Sequence, residues 1–235
     1  MGIYEFAGCV VSYEPLYGLL RRRMETYRSD TEGQPDITLD GTKEDYEKLR
    51  KQYPHLSIEE CEYSCAGAEF YMKLLKHQGF MIHASAVEKE GKAYLFSAPS
   101  GTGKSTHAQL WRQTFKGEPI RIINDDKPAV CLQNGVFYAC GTPFSGKTDK
   151  NENRKAPIQG LCMLHRGKTN KIQKITSGEA LPLILPQTLF YGDEEETNLL
   201  LSFLDRFYSL FRFTKWSVLW KNCLLYTSPS PRDGA

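Results

Sequence analysis

The stretch that decides the fold is Lys92–Phe115, "KAYLFSAPSGTGKSTHAQLWRQTF". It reads as an apolar strand, a Gly-rich turn and an amphipathic helix, in that order. Such a turn aims backbone N–H groups at phosphate oxygens, and the helix behind it adds the positive end of its dipole. The lysine at the end of the turn reaches the β- and γ-phosphates, and the hydroxyl after it serves Mg²⁺. On that pattern Ser100, Gly101, Thr102, Gly103, Lys104, Ser105 and Thr106 are the expected ATP-binding residues, with Ser105 also a metal ligand. Ala98 stands where the pattern has its first Gly, a position that needs only a small residue. A second stretch, "GTPFSGKT" (Gly141–Thr148), fits G-x-x-x-x-G-K-[ST] letter for letter, but no helix signal follows it. The chain beyond Lys147 is polar and Asn-rich as far as Pro157, and Pro143 has no N–H to offer a phosphate. The strict match is therefore expected to be a lid, mobile and solvent-facing, hinged at Gly141 and Gly146. Lys147 and Arg154 are its cations, expected to swing onto the transferring phosphoryl group.

Downstream of the helix, "IRIIN" is a short apolar strand that runs into Asp125 and Asp126, 21 residues after Lys104. That spacing admits one helix and one crossover, so the acidic pair can lie beside the Gly-rich turn. One carboxylate there can hold Mg²⁺ and another can take a proton from an acceptor hydroxyl. His83 lies in "FMIHASAV", which is expected to form a hairpin with "KAYLFSA" across "EKEG". That pairing would bring His83 to the phosphates; a packed core histidine is the alternative. His55, His77, His107 and His165 lack such context and read as surface or packing residues.

Residues 1–79 read as a small α/β unit without a catalytic constellation. "YEFAGCVVSY" and "DITLD" suggest strands. "LYGLLRRRMETY", "TKEDYEKLRKQY" and "GAEFYMKLLKHQ" suggest helices, the second ended by Pro54 and the third by Gly79. Arg21, Arg22 and Arg23 read as a solvated helix face. In the second half, "AVCLQNGVFYAC" carries an Asn-Gly hairpin signal, "IQGLCML" is a core strand, and "KIQKI" follows a polar turn. Thr176 and Glu179 form a capping box, and "DEEETNLLLSFLDRFYSLF" is a helix with acids at its start. Basic Arg112 and Lys116 close the helix that follows the Gly-rich turn.

With 40% apolar and 25% charged residues, the chain has the composition of a soluble globular protein. A net charge of only +2 argues against a nucleic-acid footprint. The greasiest stretch contains Asp205, Arg206, Arg212 and Lys215, so an amphipathic helix is expected there and no membrane span. The N-terminus shows no signal peptide. A cytoplasmic setting with reduced thiols is expected, and the zinc-like spacing of Cys61 and Cys65 has no second ligand pair. The end of the chain, "CLLYTSPSPRD" (Cys223–Asp233), reads as the translation of a transposase-type sequencing adapter. Residues 223–235 are expected to be an assembly scar, with the native C-terminus missing.

Taken together, "HASAV", "LFSAPSGTGKSTH", "INDDKPA" and "GTPFSGK" resemble the HPr kinase/phosphorylase-related kinases, particularly short homologues found beside peptide-maturation genes. His83 precedes Ala98 by fifteen residues, as the family's His does, and Asp125–Asp126 matches its Asp-Asp pair. "IQGLCML" resembles its Gly-Leu strand, and the likeness spans residues 80–165. The resemblance implies an α/β P-loop kinase fold with a mixed sheet, related to phosphoenolpyruvate carboxykinase, over residues 80–222. It implies ATP, Mg²⁺ and a serine hydroxyl on a peptide or small protein as acceptor. By the same resemblance Asp125 would be the base and Asp126 a metal ligand. The family's acidic residue before the Gly-Leu strand has no counterpart near Pro157. Residues 1–79 do not resemble the family's usual N-terminal domain, which argues against HPr as substrate. Two rivals stand beside this reading. A nucleotide-gated, non-enzymatic subunit of a maturation complex would need the Gly-rich turn but not Asp125. A small-molecule kinase of the nucleoside-monophosphate type would start its turn near the chain start and carry an Arg-rich lid. Homo-oligomerisation is left open.

Overall fold

The computed structural model describes residues 1–219 apart from Lys116, Glu118, Phe190, Tyr191 and Arg212. The adapter-like tail and the expected roles of Lys116 and Arg212 lie outside the described residues.

The chain opens with β1 (Gly2–Phe6) and β2 (Cys9–Tyr13), paired antiparallel. "YEFAGCVVSY" is thus two strands rather than one. Ala7 and Gly8 turn the corner at φ 54° and 78°, the left-handed pair of a two-residue hairpin. β3 (Ile37–Thr38) joins β2 in parallel. Around this sheet lie α1 (Gly18–Met24), α2 (Lys43–Gln52) and α3 (Ile58–Leu74). Thr42 with Asp45, and Ser57 with Glu60, close full capping boxes on α2 and α3. The Ser57 box starts α3 well before Gly67, so the helix takes in Cys61 and Cys65 as free thiols.

A mixed sheet follows, built from β4 (Gly79–Met81), β5 (Ala84–Lys89), β6 (Lys92–Ser97), β7 (Arg121–Asn124), β8 (Ala129–Gln133), β9 (Val136–Cys140) and β10 (Lys155–Gly167). Their spatial order is β4-β8-β9-β10-β6-β5-β7. The long β10 first pairs with β9 and then runs parallel to β6, changing register between Ile158 and Gly160. Such an irregularity bends a strand, which lets one strand serve both halves of the curled sheet. β11 (Lys171–Ile175) and β12 (Phe213–Leu219) extend it beyond β10. The β5–β6 and β8–β9 turns carry Glu90-Gly91 and Asn134-Gly135, all at positive φ, as their sequences require. "FMIHASAV" is not one strand: β4 pairs with β8, β5 pairs with β6 and β7, and His83 sits in the break.

α4 (Lys104–Thr114) packs Trp111 on Tyr94 and Phe96. α5 (Ser177–Ile184) and α6 (Glu194–Leu210) belong to a separate cluster. α6 buries Leu200, Phe203, Leu204 and Phe207, the i, i+3, i+4, i+7 stripe of an amphipathic helix. Phe207 meets Phe80 and Phe137 edge-on. A third cluster joins Phe6, Phe70 and Tyr71 of the N-terminal unit to Cys131, Cys140 and Phe144 of the sheet side, so one core crosses the expected boundary at residue 79. Among the described residues no helix is long and apolar enough to cross a membrane.

Candidate functional site

The parallel strands β6 and β7 end on the same side of the sheet, and β5 begins there. The Gly-rich turn, the acidic pair and His83 therefore meet at one edge. Between β6 and α4 the chain turns through Gly101 (φ 75°) and Gly103 (φ 111°), conformations that L side chains rarely adopt. A Cβ on Gly101 would meet nothing, so that side of the turn is open. Ala98 is fully buried against α4, which gives its small side chain a packing role at the first position of the motif.

The start of α4 has no side-chain cap and no acid in its first turn. The other helices of eight residues or more are capped by Thr42, Ser57, Thr176 or Asp193. Its N–H groups thus face the open turn with no side chain of their own to satisfy them. Ser105 and Thr106 are exposed beside them. Lys104 is 6% exposed, and its ammonium donates to the Ala98 carbonyl at 2.9 Å. Burial pulls Lys104 below the usual lysine range, and the charge of Asp126 partly offsets this. An ammonium carries three donors, so the group is held out of water with one hydrogen bond from the described residues. An uncapped helix start over a buried cation fits an anion such as the phosphates of ATP.

Asn124, fully buried, shapes the acidic turn. Its Oδ1 accepts the N–H groups of Asp126 and Lys127, and its Nδ2 donates to Thr142 and Phe144. Asp126 points into the site. His83 Nε2 donates to Asp126 Oδ1 at 3.2 Å, and Lys127 Nζ lies 3.0 Å from Oδ2. Burial alone would raise the Asp126 carboxyl, but the His83 hydrogen bond and the Lys127 charge outweigh it and hold the group well below the usual carboxylate range. His83 is itself fixed by Gln187, whose backbone O accepts the His83 N–H at 2.6 Å and whose Oε1 lies 3.1 Å from Nδ1. Asp125 is 2% exposed, and its carboxylate is held by the 146–148 segment. Its Oδ1 accepts the Gly146 N–H at 2.8 Å, and its Oδ2 accepts the Thr148 hydroxyl.

The strict motif match is a correction to the sequence reading. Gly141–Ser145 is buried, with Thr142, Phe144 and Ser145 at 2% exposure or less, so its first half is core and not a mobile lid. Gly141 is no hinge: a Cβ there would collide with the backbone carbonyls of Glu152 and Ile123. Gly146 is small because it passes over Asp125 and Asp126. Lys147 remains exposed, between Gly146 and Thr148, which both bond to Asp125. Arg154 is held elsewhere. Its guanidinium grips Glu88 through two bonds of 3.0 and 3.1 Å. Glu88 lies four residues along β5 from Ala84, about 13 Å from the edge of the sheet that carries the Gly-rich turn. The expected swing of Arg154 would have to break this pair first.

Several site neighbours escaped the sequence reading. Arg23 is not solvated: it donates to the Ser145 and Gly146 carbonyls, pairs with Asp149 and lies over the Tyr63 ring. Arg166 donates to the Gly101 carbonyl from the end of β10. Lys127, next after the acidic pair, was visible as a letter but not as a partner. His107, by contrast, is the packing residue its sequence suggested: it lies edge-on to Phe96, and burial lowers its pKa to about 4.

No family model and no curated protein matches the chain. Among solved structures, the HPr(Ser) kinase/phosphatase from Coxiella burnetii aligns at 14% identity and a TM-score of 0.31, over 55% of this chain and 96% of its own. A likeness that slight leaves the chemistry to the site's own geometry.

Proposed function

We propose that this chain is an ATP-dependent phosphotransferase acting on a hydroxyl, with a serine of a peptide or small protein as the acceptor. The observation behind it is the buried Lys104 ammonium under the uncapped start of α4, beside the Asp126–His83 pair. Lys104 and the turn N–H groups would hold the phosphates, and Ser105 with Asp126 would hold Mg²⁺. ATP supplies the phosphoryl group. A carboxylate held ionised, as Asp126 is, suits a metal ligand and makes a weak base. The proton of the attacking hydroxyl goes to Asp125, whose two oxygens must first part from Gly146 and Thr148. His83 orients Asp126. The serine acceptor rests on the sequence resemblance.

Calorimetry with Mg·ATP and a coupled turnover assay test this reading. Lys104→Ala loses ATP binding, and Asp125→Asn keeps binding but loses phosphoryl transfer. Unchanged affinity in Lys104→Ala would sink the phosphate site. Undiminished turnover in Asp125→Asn would remove the base.

A further inference from the structure

A cavity of about 210 Å³ opens between α3 and the acidic turn. Tyr63, Tyr71, Met81, Phe144 and Leu189 give it an apolar wall, and Lys127 closes the side toward Asp126. Two small residues of α3, Gly67 and Ala68, leave the space open. The walls are well fixed. Tyr71 donates to the Lys127 carbonyl, and Tyr63 donates to the Ser145 carbonyl at 2.6 Å. Drug-sized ligands occupy pockets of about 300 Å³ or more, so this one suits a single side chain better than a nucleotide.

We propose that this cavity is the acceptor-recognition pocket, taking one large apolar side chain (Leu, Met or Phe) next to the hydroxyl that is phosphorylated. The inference rests on the phosphotransferase reading above. Three features point to that occupant. The wall is aromatic and aliphatic. Lys127 belongs both to the wall and to the ion pair with Asp126. Neighbouring peptide residues are about 3.3 Å apart along an extended chain, so a hydroxyl one or two residues from a side chain in the cavity stays within about 3–7 Å of it, on the side where Lys127 meets Asp126. The N-terminal unit thereby contributes to substrate choice through α3, while the Gly-rich turn handles the nucleotide.

The test uses fluorescent nonapeptides with one central Ser, identical except for Leu, Met, Phe, Ala, Lys or Glu at the positions flanking it. Binding to the full chain with Mg²⁺ and a non-hydrolysable ATP analogue is read by anisotropy, and transfer from ATP is followed in parallel. Apolar flanks should tighten binding about tenfold or more over Ala. Ala68→Phe should erase that preference while nucleotide affinity stays unchanged. Ser64→Phe, an exposed change at the cavity mouth, should do the same if Ala68→Phe fails to fold. Equal binding across all flanks, or a preference that survives both variants, overturns the pocket. Apolar-selective binding without transfer overturns the phosphotransferase reading and leaves the pocket standing.

Discussion

Asp126 has a cation on one side and a histidine on the other, and this has a consequence for pH. Its folded carboxyl lies well below the ordinary value of about 3.9. The unfolded chain therefore binds its proton first on acidification, so stability from this group is complete above about pH 5 and falls as pH drops through the folded value. Urea midpoints measured between about pH 6 and 2 should decline less steeply in Asp126→Asn than in wild type; parallel curves would show that the pairing is not felt. Arg154 calls for the opposite kind of test. It holds the mostly buried Glu88 far from the Gly-rich turn, so its removal leaves a carboxylate without its partner. Arg154→Ala should cost about 1–3 kcal/mol in urea unfolding and leave turnover within about twofold. A large fall in turnover at unchanged stability would instead give Arg154 a part in the reaction.

At the scale of elements, local signals were legible and remote ones were not. Asn134-Gly135 and Glu90-Gly91 announce their hairpins because the turn type dictates its own residues. Thr176 and Glu179 announce α5 in the same way. Ala7-Gly8 went unread because Ala is a poor candidate for positive φ, and Ser57 because the start of α3 was sought at an apolar stripe and not at its cap. Lys92–Phe115 could be assigned because a strand before and a helix after are features of neighbouring sequence. Gly141–Ser145 could not, because its burial comes from Phe6, Phe70 and Tyr71, which are far away in the chain. The site divides likewise: the turn and the acidic pair were readable as motifs, whereas Gln187 and Arg23 arrive from other elements. Ser57→Ala should cost about 1 kcal/mol in thermal or urea unfolding, the usual loss of a cap. Unaltered stability would mean that α3 is held by its packing alone.

At the scale of the molecule, the N-terminal unit and the sheet share one core, and this decides how the chain should unfold. Phe144 lies in the segment after β9, yet its ring meets Phe6, Tyr63, Phe70 and Tyr71, all from the N-terminal unit. Arg23 and Tyr27 fasten the same segment through Ser145, Gly146 and Asn151. That segment in turn carries the Gly146 and Thr148 groups that hold Asp125. The N-terminal unit thus helps to shape the edge that carries the candidate site. Domains that unfold independently have separate cores and few contacts across the boundary, and here the boundary runs through a core. Scanning calorimetry should give one transition with equal calorimetric and van't Hoff enthalpies. Phe144→Ala should move that transition as a whole, at a cost of about 3–5 kcal/mol. Were the two units independent, wild type would melt in two steps. If the wild-type melt is single but Phe144→Ala splits it, the aromatic cluster is what couples the N-terminal unit to the sheet. If the variant melts in one step with little shift, the Arg23 and Tyr27 contacts suffice, and Arg23→Ala should then loosen residues 145–151 in hydrogen exchange before the rest of the sheet opens.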